Sequence, residues 1–129
     1  MKKFILTLLM VFTVGIAFSQ VKWFETTSFS YKYITQYGEW VNWSEWEKCV
    51  ADVKIDLSKD IIIIYTKEVQ MYYAYDYVGE VKDTSGQTIK FAVIDNEEDY
   101  GHIRLRVQNN GTKQLYVDFS NIMWVYNLK

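Results

Sequence analysis

The sequence predicts an all-β protein, and the architecture it favours is a single antiparallel up-and-down β-barrel of about eight strands. From residue 50 onward, apolar and polar residues alternate with a period of two, which is the pattern of strands with one buried face. Short polar turn segments interrupt this alternation, so consecutive strands are expected to be neighbours in space. Closing such a sheet into a barrel removes its exposed edges, and a β-sandwich is the alternative architecture.

The alternation is clearest in residues 102–107, where every second residue is apolar and the residues between are His or Arg. The same pattern occurs in residues 51–57, 88–93 and 114–119. The chain contains no proline, so nothing in it prevents long strands. The eight expected strands cover residues 21–34, 50–57, 60–66, 68–79, 87–95, 100–108, 112–119 and 121–128.

The N-terminal residues have the pattern of a secretory signal peptide. Two lysines precede an apolar run from Phe4 to Phe18, which is too short for a membrane anchor, and Ala17 and Ser19 are the small residues required before a cleavage site. We therefore expect residues 1–19 to be a signal peptide and residues 20–129 to form one β-barrel domain. Cleavage after Ser19 would leave a periplasmic or extracellular protein without a membrane span.

Charge and cysteine content limit the possible partners and bonds. The signal segment holds two of the 14 basic residues and none of the 16 acidic ones, so the mature chain keeps 12 basic and 16 acidic side chains, a formal charge of −4. This acidity argues against a nucleic-acid partner, which requires a basic surface. Cys49 is the only cysteine, so the domain must fold without an internal disulfide.

The segment 36–48 is the least regular part of the chain and holds the first candidate ligand site. Trp40, Trp43 and Trp46 recur every three residues, a spacing compatible with a 3₁₀ turn, a long loop or a bulged strand. Exposed indole rings bind flat apolar ligands. The alternative interpretation is that the three rings plug one end of the barrel and pack on Ile62 and Ile64.

The strand at 68–79 carries Tyr73 and Tyr75, which complete the set of candidate ligand-binding residues. With Val69, Met71 and Tyr77 they share one parity of the strand. We expect this aromatic face to point into the barrel.

The run Ile61-Ile62-Ile63-Ile64 is apolar on both faces, unlike the other strands. Either the 36–48 segment covers its outer side, or that side is an exposed patch for a partner, with Ile62 and Ile64 as the candidate residues.

No metal, cofactor or catalytic site is expected. The acidic run 95–99 lacks the spacing of an EF-hand loop and is interpreted as a hairpin turn. His102 is the single histidine, which excludes a multi-histidine metal site. If Gly111 adopts a left-handed conformation in a bulged turn, Gln108 pairs with Thr112 and His102 lies opposite Asp118 on the outer surface.

Three segments carry a resemblance to known proteins: residues 40–46 (Trp-Val-Asn-Trp-Ser-Glu-Trp), residues 53–56 (Val-Lys-Ile-Asp) and residues 114–118 (Gln-Leu-Tyr-Val-Asp). In these segments the chain resembles a group of small secreted bacterial proteins of unknown function. The strand count is also similar to that of the calycin barrels, which include the lipocalins. Neither resemblance implies an activity or catalytic residues.

These observations favour an exported, non-enzymatic barrel that engages an envelope or extracellular protein rather than a small molecule. The alternatives are a lipocalin-like carrier of a small hydrophobic or aromatic ligand, and a hydrolase. A carrier requires an unfilled interior of ~300 Å³ or more, whereas an interaction module should have a filled interior and an apolar outer patch.

Overall fold

The computed structural model of the chain describes residues 21–129, so the expected signal peptide and its cleavage site lie outside the described residues. These residues form nine strands and no helix. The strands are β1 (Val21–Tyr33), β2 (Glu47–Lys48), β3 (Asp52–Asp56), β4 (Ile61–Ile64), β5 (Gln70–Lys82), β6 (Gly86–Asp95), β7 (Tyr100–Gln108), β8 (Lys113–Asp118) and β9 (Ile122–Leu128).

The sheet closes into a barrel because β1 pairs with β9 at the opposite end of the strand order. The β1–β9 ladder runs from Thr26 opposite Leu128 to Tyr33 opposite Ile122. Every pairing in the ring β1-β3-β4-β5-β6-β7-β8-β9 is antiparallel, and all but the closing β1–β9 pair join strands that follow one another around the ring in chain order. The short β2 lies outside this ring and pairs antiparallel with β1. The prediction of a closed antiparallel barrel of about eight strands is therefore confirmed, and β2 is an additional strand.

A bulge divides β1 into two halves that face different partners. Val21–Glu25 pair with β3, whereas Ser28 and Phe29 pair with β2, and the register with β9 shifts between Thr26 and Ser28. The buried Thr26 side chain bridges the gap between β2 and β3, because its Oγ1 donates to the Cys49 carbonyl (2.6 Å) and accepts from the Ala51 amide (2.9 Å). These bonds satisfy backbone groups that would otherwise lie unpaired near the core.

The interior of the barrel is filled with side chains. Phe91 lies in its middle with 1% of its surface exposed, and Trp124 packs against the cluster from one end. The core is Val53, Ile55, Leu57, Ile62, Ile64, Tyr72, Ala74, Ile89, Phe91, Val93, Ile103, Leu105, Leu115, Val117, Tyr126 and Leu128.

In the first half of β5, the residues that face the interior are the ones that alternate with those expected there. Tyr72 and Ala74 point inward, while Tyr73 and Tyr75 are 42% and 40% exposed, so the expectation that these two tyrosines face inward is wrong. A bulge at Tyr75 shifts the register, after which Tyr77 lies opposite Phe91 and packs on the core. Sequence alternation missed this because aromatic residues occupy both parities and the bulge changes parity mid-strand.

The candidate partner residues Ile62 and Ile64 are also placed differently from the expectation. They are 1% and 0% exposed and point into the barrel opposite Ile55 and Val53. They therefore cannot form an exposed patch. Ile61 and Ile63 take the outward positions of β4, and the 36–48 segment lies along β1 instead of covering them.

The β7–β8 hairpin has the register that the sequence predicted. His102 lies opposite Asp118, Ile103 opposite Val117 and Leu105 opposite Leu115. The Gln108 amide donates to the Thr112 carbonyl (2.8 Å), and Gly111 has a φ of 91°. A glycine is favoured here because an L-residue with a side chain rarely adopts this conformation.

Substitution of Phe91 tests the filled interior. Phe91→Ala removes a large side chain from the centre of the core, so the free energy of unfolding should fall by about 3–5 kcal/mol. Val81→Ala on the exposed side of β5 is the matched control and should change it by less than about 0.5 kcal/mol. Urea denaturation of both variants measures the difference. Equal losses in the two variants would contradict a core centred on Phe91.

Candidate functional site

The tryptophan segment, residues 40–46, is an extended loop held against the edge of β1. The Val41 amide donates to the Tyr33 carbonyl (3.0 Å), and the Ser44 amide donates to the Tyr31 carbonyl (2.7 Å). The buried Ser30 hydroxyl donates to the Ser44 carbonyl (2.6 Å). The segment thus continues the line of β2 without forming a regular ladder, which agrees with the long-loop alternative.

Two of its three tryptophans already have a partner within the chain. The Lys32 ammonium lies 5.5 Å from the centre of the Trp40 ring and 4.8 Å from that of Trp43. Trp43 also meets Tyr116 edge-on, with the ring centres 6.5 Å apart. Cation–π contacts of this kind stabilise the pairing of a surface loop with a strand, so part of this site has a structural role. Trp46 is half exposed.

The five residues predicted to bind a ligand do not form one surface. Tyr73 and Tyr75 lie on β5, which is separated from β1 by β3 and β4 in the sheet. The tryptophan segment lies against β1.

Tyr73 and Tyr75 instead belong to a continuous surface on the outside of the barrel. Two neighbouring rows of outward residues cross the sheet at the β4–β5 pairing. The first row consists of Trp23, Lys54, Ile63 and Met71. The second row consists of Val21, Asp56, Ile61, Tyr73, Ile94 and Tyr100.

Large exposed side chains lie in these rows or next to them, and we call the set of five aromatic residues and one methionine the outer aromatic face: Trp23, Tyr65, Met71, Tyr73, Tyr75 and Tyr100. Trp23 stacks on Tyr65 with ring centres 6.0 Å apart, and Tyr75 meets Tyr100 edge-on at 5.7 Å. The exposed fractions reach 53% for Trp23 and 66% for Tyr100. Sequence reasoning missed Trp23 and Tyr100, although Trp23 follows directly from the pairing of its strand with β3.

An ion pair lies within this face. Lys54 Nζ is 3.8 Å from Asp56 Oδ2, and the same lysine lies over the Trp23 ring. Burial opposes ionisation of Asp56, but hydrogen bonds from Ser58 and the charge of Lys54 outweigh it and lower the pKa of the carboxyl group. The two charges offset each other, so the centre of the outer aromatic face has no net charge.

A second candidate site lies at the end of the barrel where the β4–β5, β6–β7 and β8–β9 loops meet, which we call the open end. Three clefts of about 530, 410 and 250 Å³ are lined in common by Trp124. Trp124 stacks on Phe119 with ring centres 6.0 Å apart, and Phe119 also contacts Tyr72. Gly101 makes room for the Phe119 ring, because a Cβ there would lie 2.8 Å from it.

A hydrogen-bonded network lies beside this aromatic cluster. Gln70 Nε2 donates to the Tyr126 hydroxyl (3.0 Å), and the Tyr72 hydroxyl donates to Gln70 Oε1 (2.6 Å). Burial raises the pKa of both tyrosines, so they stay protonated. The Trp124 indole N–H partly opposes this rise in the pKa of Tyr126, but the contact with the Tyr126 hydroxyl does not meet hydrogen-bond geometry. Trp124 Nε1 is therefore buried without a hydrogen-bond partner among the described residues.

The rim of the open end is acidic. Glu68, Asp95, Glu97 and Asp99 line the two larger clefts, against one basic residue, Lys67. Asp95 Oδ1 accepts from the Glu97 and Asp99 amides (2.9 Å each), so the 95–99 run is a hairpin loop, as the sequence indicated. Within residues 21–129, no three His, Cys, Asp or Glu side chains converge to hold a metal ion.

His102 lies on the outer surface opposite Asp118, but the carboxylate pairs mainly with another residue. Arg104 Nε lies 2.6 Å and a terminal guanidinium nitrogen 3.2 Å from the two oxygens of Asp118. Arg104 also stacks over Tyr116. Burial, Lys90 and Arg104 lower the pKa of His102, and Asp118 only partly opposes this.

The lowered pKa of His102 predicts a specific pH dependence. Because the folded state binds the proton less tightly than the unfolded chain, the stabilising contribution is present above pH 6.5 and is lost as the pH falls through the folded-state pKa. An NMR titration of the imidazole should give a midpoint below 6.5. Lys90→Gln should move that midpoint upward, while Lys67→Gln on the β4–β5 loop should not. A wild-type midpoint at or above 6.5 would contradict the described environment.

Comparisons with known proteins identify no relative: no protein-family model matches the chain, and no curated protein or solved structure is significantly similar to it. In the part of the chain that the structure describes, no helix is both long and apolar enough to cross a membrane. The evidence for the candidate sites is therefore the geometry of this chain alone.

Proposed function

We propose that the chain is an exported, non-enzymatic β-barrel module that binds an envelope or extracellular protein through the outer aromatic face. The observation that supports this proposal is the row arrangement of that face. Trp23, Met71, Tyr73 and Tyr100 are each at least 40% exposed and lie on adjacent rows, which also contain the partly buried Ile61 and the buried Ile63. Contiguous exposed apolar patches are uncommon on isolated soluble domains and mark interaction surfaces.

The chemistry of the face suits a protein partner. Tyrosine and tryptophan combine a large apolar area with a polar tip and are enriched among the residues that dominate binding energy. The Lys54–Asp56 pair leaves no uncompensated charge at the centre, so docking does not bury a lone ion. An apolar centre with few net charges is the usual composition of an interface core.

The interior supports this function over that of a lipocalin-like carrier. A carrier needs an unfilled central cavity, whereas the middle of this barrel is occupied by Phe91, Ile103 and Leu105. The hydrolase alternative gains no support from His102, which lies on the outer side of β7 and whose neighbour Asp118 pairs with Arg104.

Site-specific photo-crosslinking in the native host tests the proposal. Tyr73 is replaced by benzoylphenylalanine, and Tyr37, which is 82% exposed near the open end, receives the same replacement as the matched control. We expect a discrete protein adduct from position 73 and none from position 37. Adding Trp23→Ala should reduce the adduct about tenfold or more, since loss of a central aromatic contact commonly costs about 2 kcal/mol.

Two results would contradict the proposal. One is the same adducts from both positions, which would indicate random collision. The other is the absence of an adduct from position 73 while urea denaturation shows the labelled protein to be folded. Denaturation midpoints of all variants separate loss of binding from loss of fold.

A further inference from the structure

We propose that the open end of the barrel is a second binding site, and that it takes a small organic ammonium ion that carries a hydrogen-bond acceptor. This site is independent of the outer aromatic face. It combines three features: an aromatic floor, an acidic rim and an enclosed N–H without a partner.

The floor is the stacked pair Trp124 and Phe119, with Tyr72 against the other side of Phe119. Trp124 and Tyr72 line both of the larger clefts, which measure about 530 and 410 Å³. This size fits a small organic ligand. The negative face of an aromatic ring attracts an ammonium group, and indole provides the strongest such attraction.

The rim supplies charge of the matching sign. Asp95 lines both larger clefts, while Glu97 and Glu68 line one and Asp99 the other. Two backbone amides hold one oxygen of Asp95, which fixes the direction of its carboxylate without neutralising its charge. Carboxylates around a concave apolar surface raise the local concentration of cations and oppose anions.

The third feature is the Trp124 indole N–H. Its nitrogen is buried, and because its approach to the Tyr126 hydroxyl does not meet hydrogen-bond geometry, it has no hydrogen-bond partner in the described part of the chain. An enclosed donor without an acceptor is costly and usually marks a place for a bound water or ligand atom. A hydroxyl or carbonyl group on the cation would provide the acceptor that this donor lacks.

The experiment uses choline chloride as the probe and follows the Trp124 indole cross-peak, assigned with Trp124→Phe, in a ¹H–¹⁵N spectrum. Ionic strength is held constant with NaCl. We expect a saturable shift with choline. The neutral isostere 3,3-dimethylbutan-1-ol should bind about tenfold more weakly, because it lacks the charge that the rings and the rim recognise.

The test of the rim is Asp95→Asn, which keeps the oxygen that accepts from the loop amides and removes the charge. It should weaken choline binding about fivefold or more. Asp76→Asn on the exposed side of β5 makes the same change in net charge and should leave binding unchanged. Glu97→Gln provides a second rim variant should Asp95→Asn not fold.

Each of three outcomes would overturn the inference. The first is the absence of a saturable shift up to about 100 mM choline, since a weaker affinity would not indicate a site. The second is equal binding of choline and the neutral isostere. The third is equal weakening of choline binding by the rim variants and by Asp76→Asn. None of these results bears on the crosslinking from position 73, so the two proposals can fail separately.

Discussion

The pairing of β1 with β9 is the interaction on which the rest of the structure depends. A backbone hydrogen bond lies at each end of this junction. The Ile34 amide donates to the Asn121 carbonyl (3.0 Å), and the Lys129 amide donates to the Glu25 carbonyl (2.8 Å). Without closure, both strands would present unpaired edges. Closure also gives the alternating side chains a single interior, which the residues around Phe91 fill.

Because the interior is filled, the candidate binding surfaces lie on the outside of the barrel and at its rim. The pairing of Tyr73 with Ile61 and Ile94 points its ring outward, the bulge at Tyr75 leaves that ring exposed as well, and both rings add to the outer aromatic face. At the open end the core finishes in Trp124 and Phe119, above which the loops leave room for a ligand. In our proposals the barrel is a support for two binding surfaces, one on its outer wall and one at its rim.

The sequence predicted the regular strands well because one parity was apolar and the other polar. In β7 and β8 this contrast, together with Gly111, was sufficient to predict every pair from His102–Asp118 to Arg106–Gln114. It did not reveal that the Asp118 carboxylate would pair with Arg104, which lies diagonally across from it, instead of with the directly opposite His102. The register gives only the directly opposed pairs, whereas the long arginine side chain also reaches a diagonal neighbour.

The candidate sites were harder to predict, for identifiable reasons. Ile61–Ile64 is apolar at both parities, so the outward side could not be told from the inward one until β4 was paired with β3. The contact of Lys32 with Trp40 and Trp43 depends on an irregular loop returning along β1, and no periodicity encodes that path. The open end gathers residues from three separate loops and has no local sequence signal.

Amide hydrogen exchange across the β1–β9 junction tests the central claim most directly. A closed barrel predicts that the amides of Ile34 and Lys129, and those within the β1–β9 ladder, exchange far more slowly than unprotected amides, with the ladder interior approaching the protection of β6 and β7. Rapid exchange in β1 and β9 while β6 and β7 remain protected would indicate an open sheet and contradict the account.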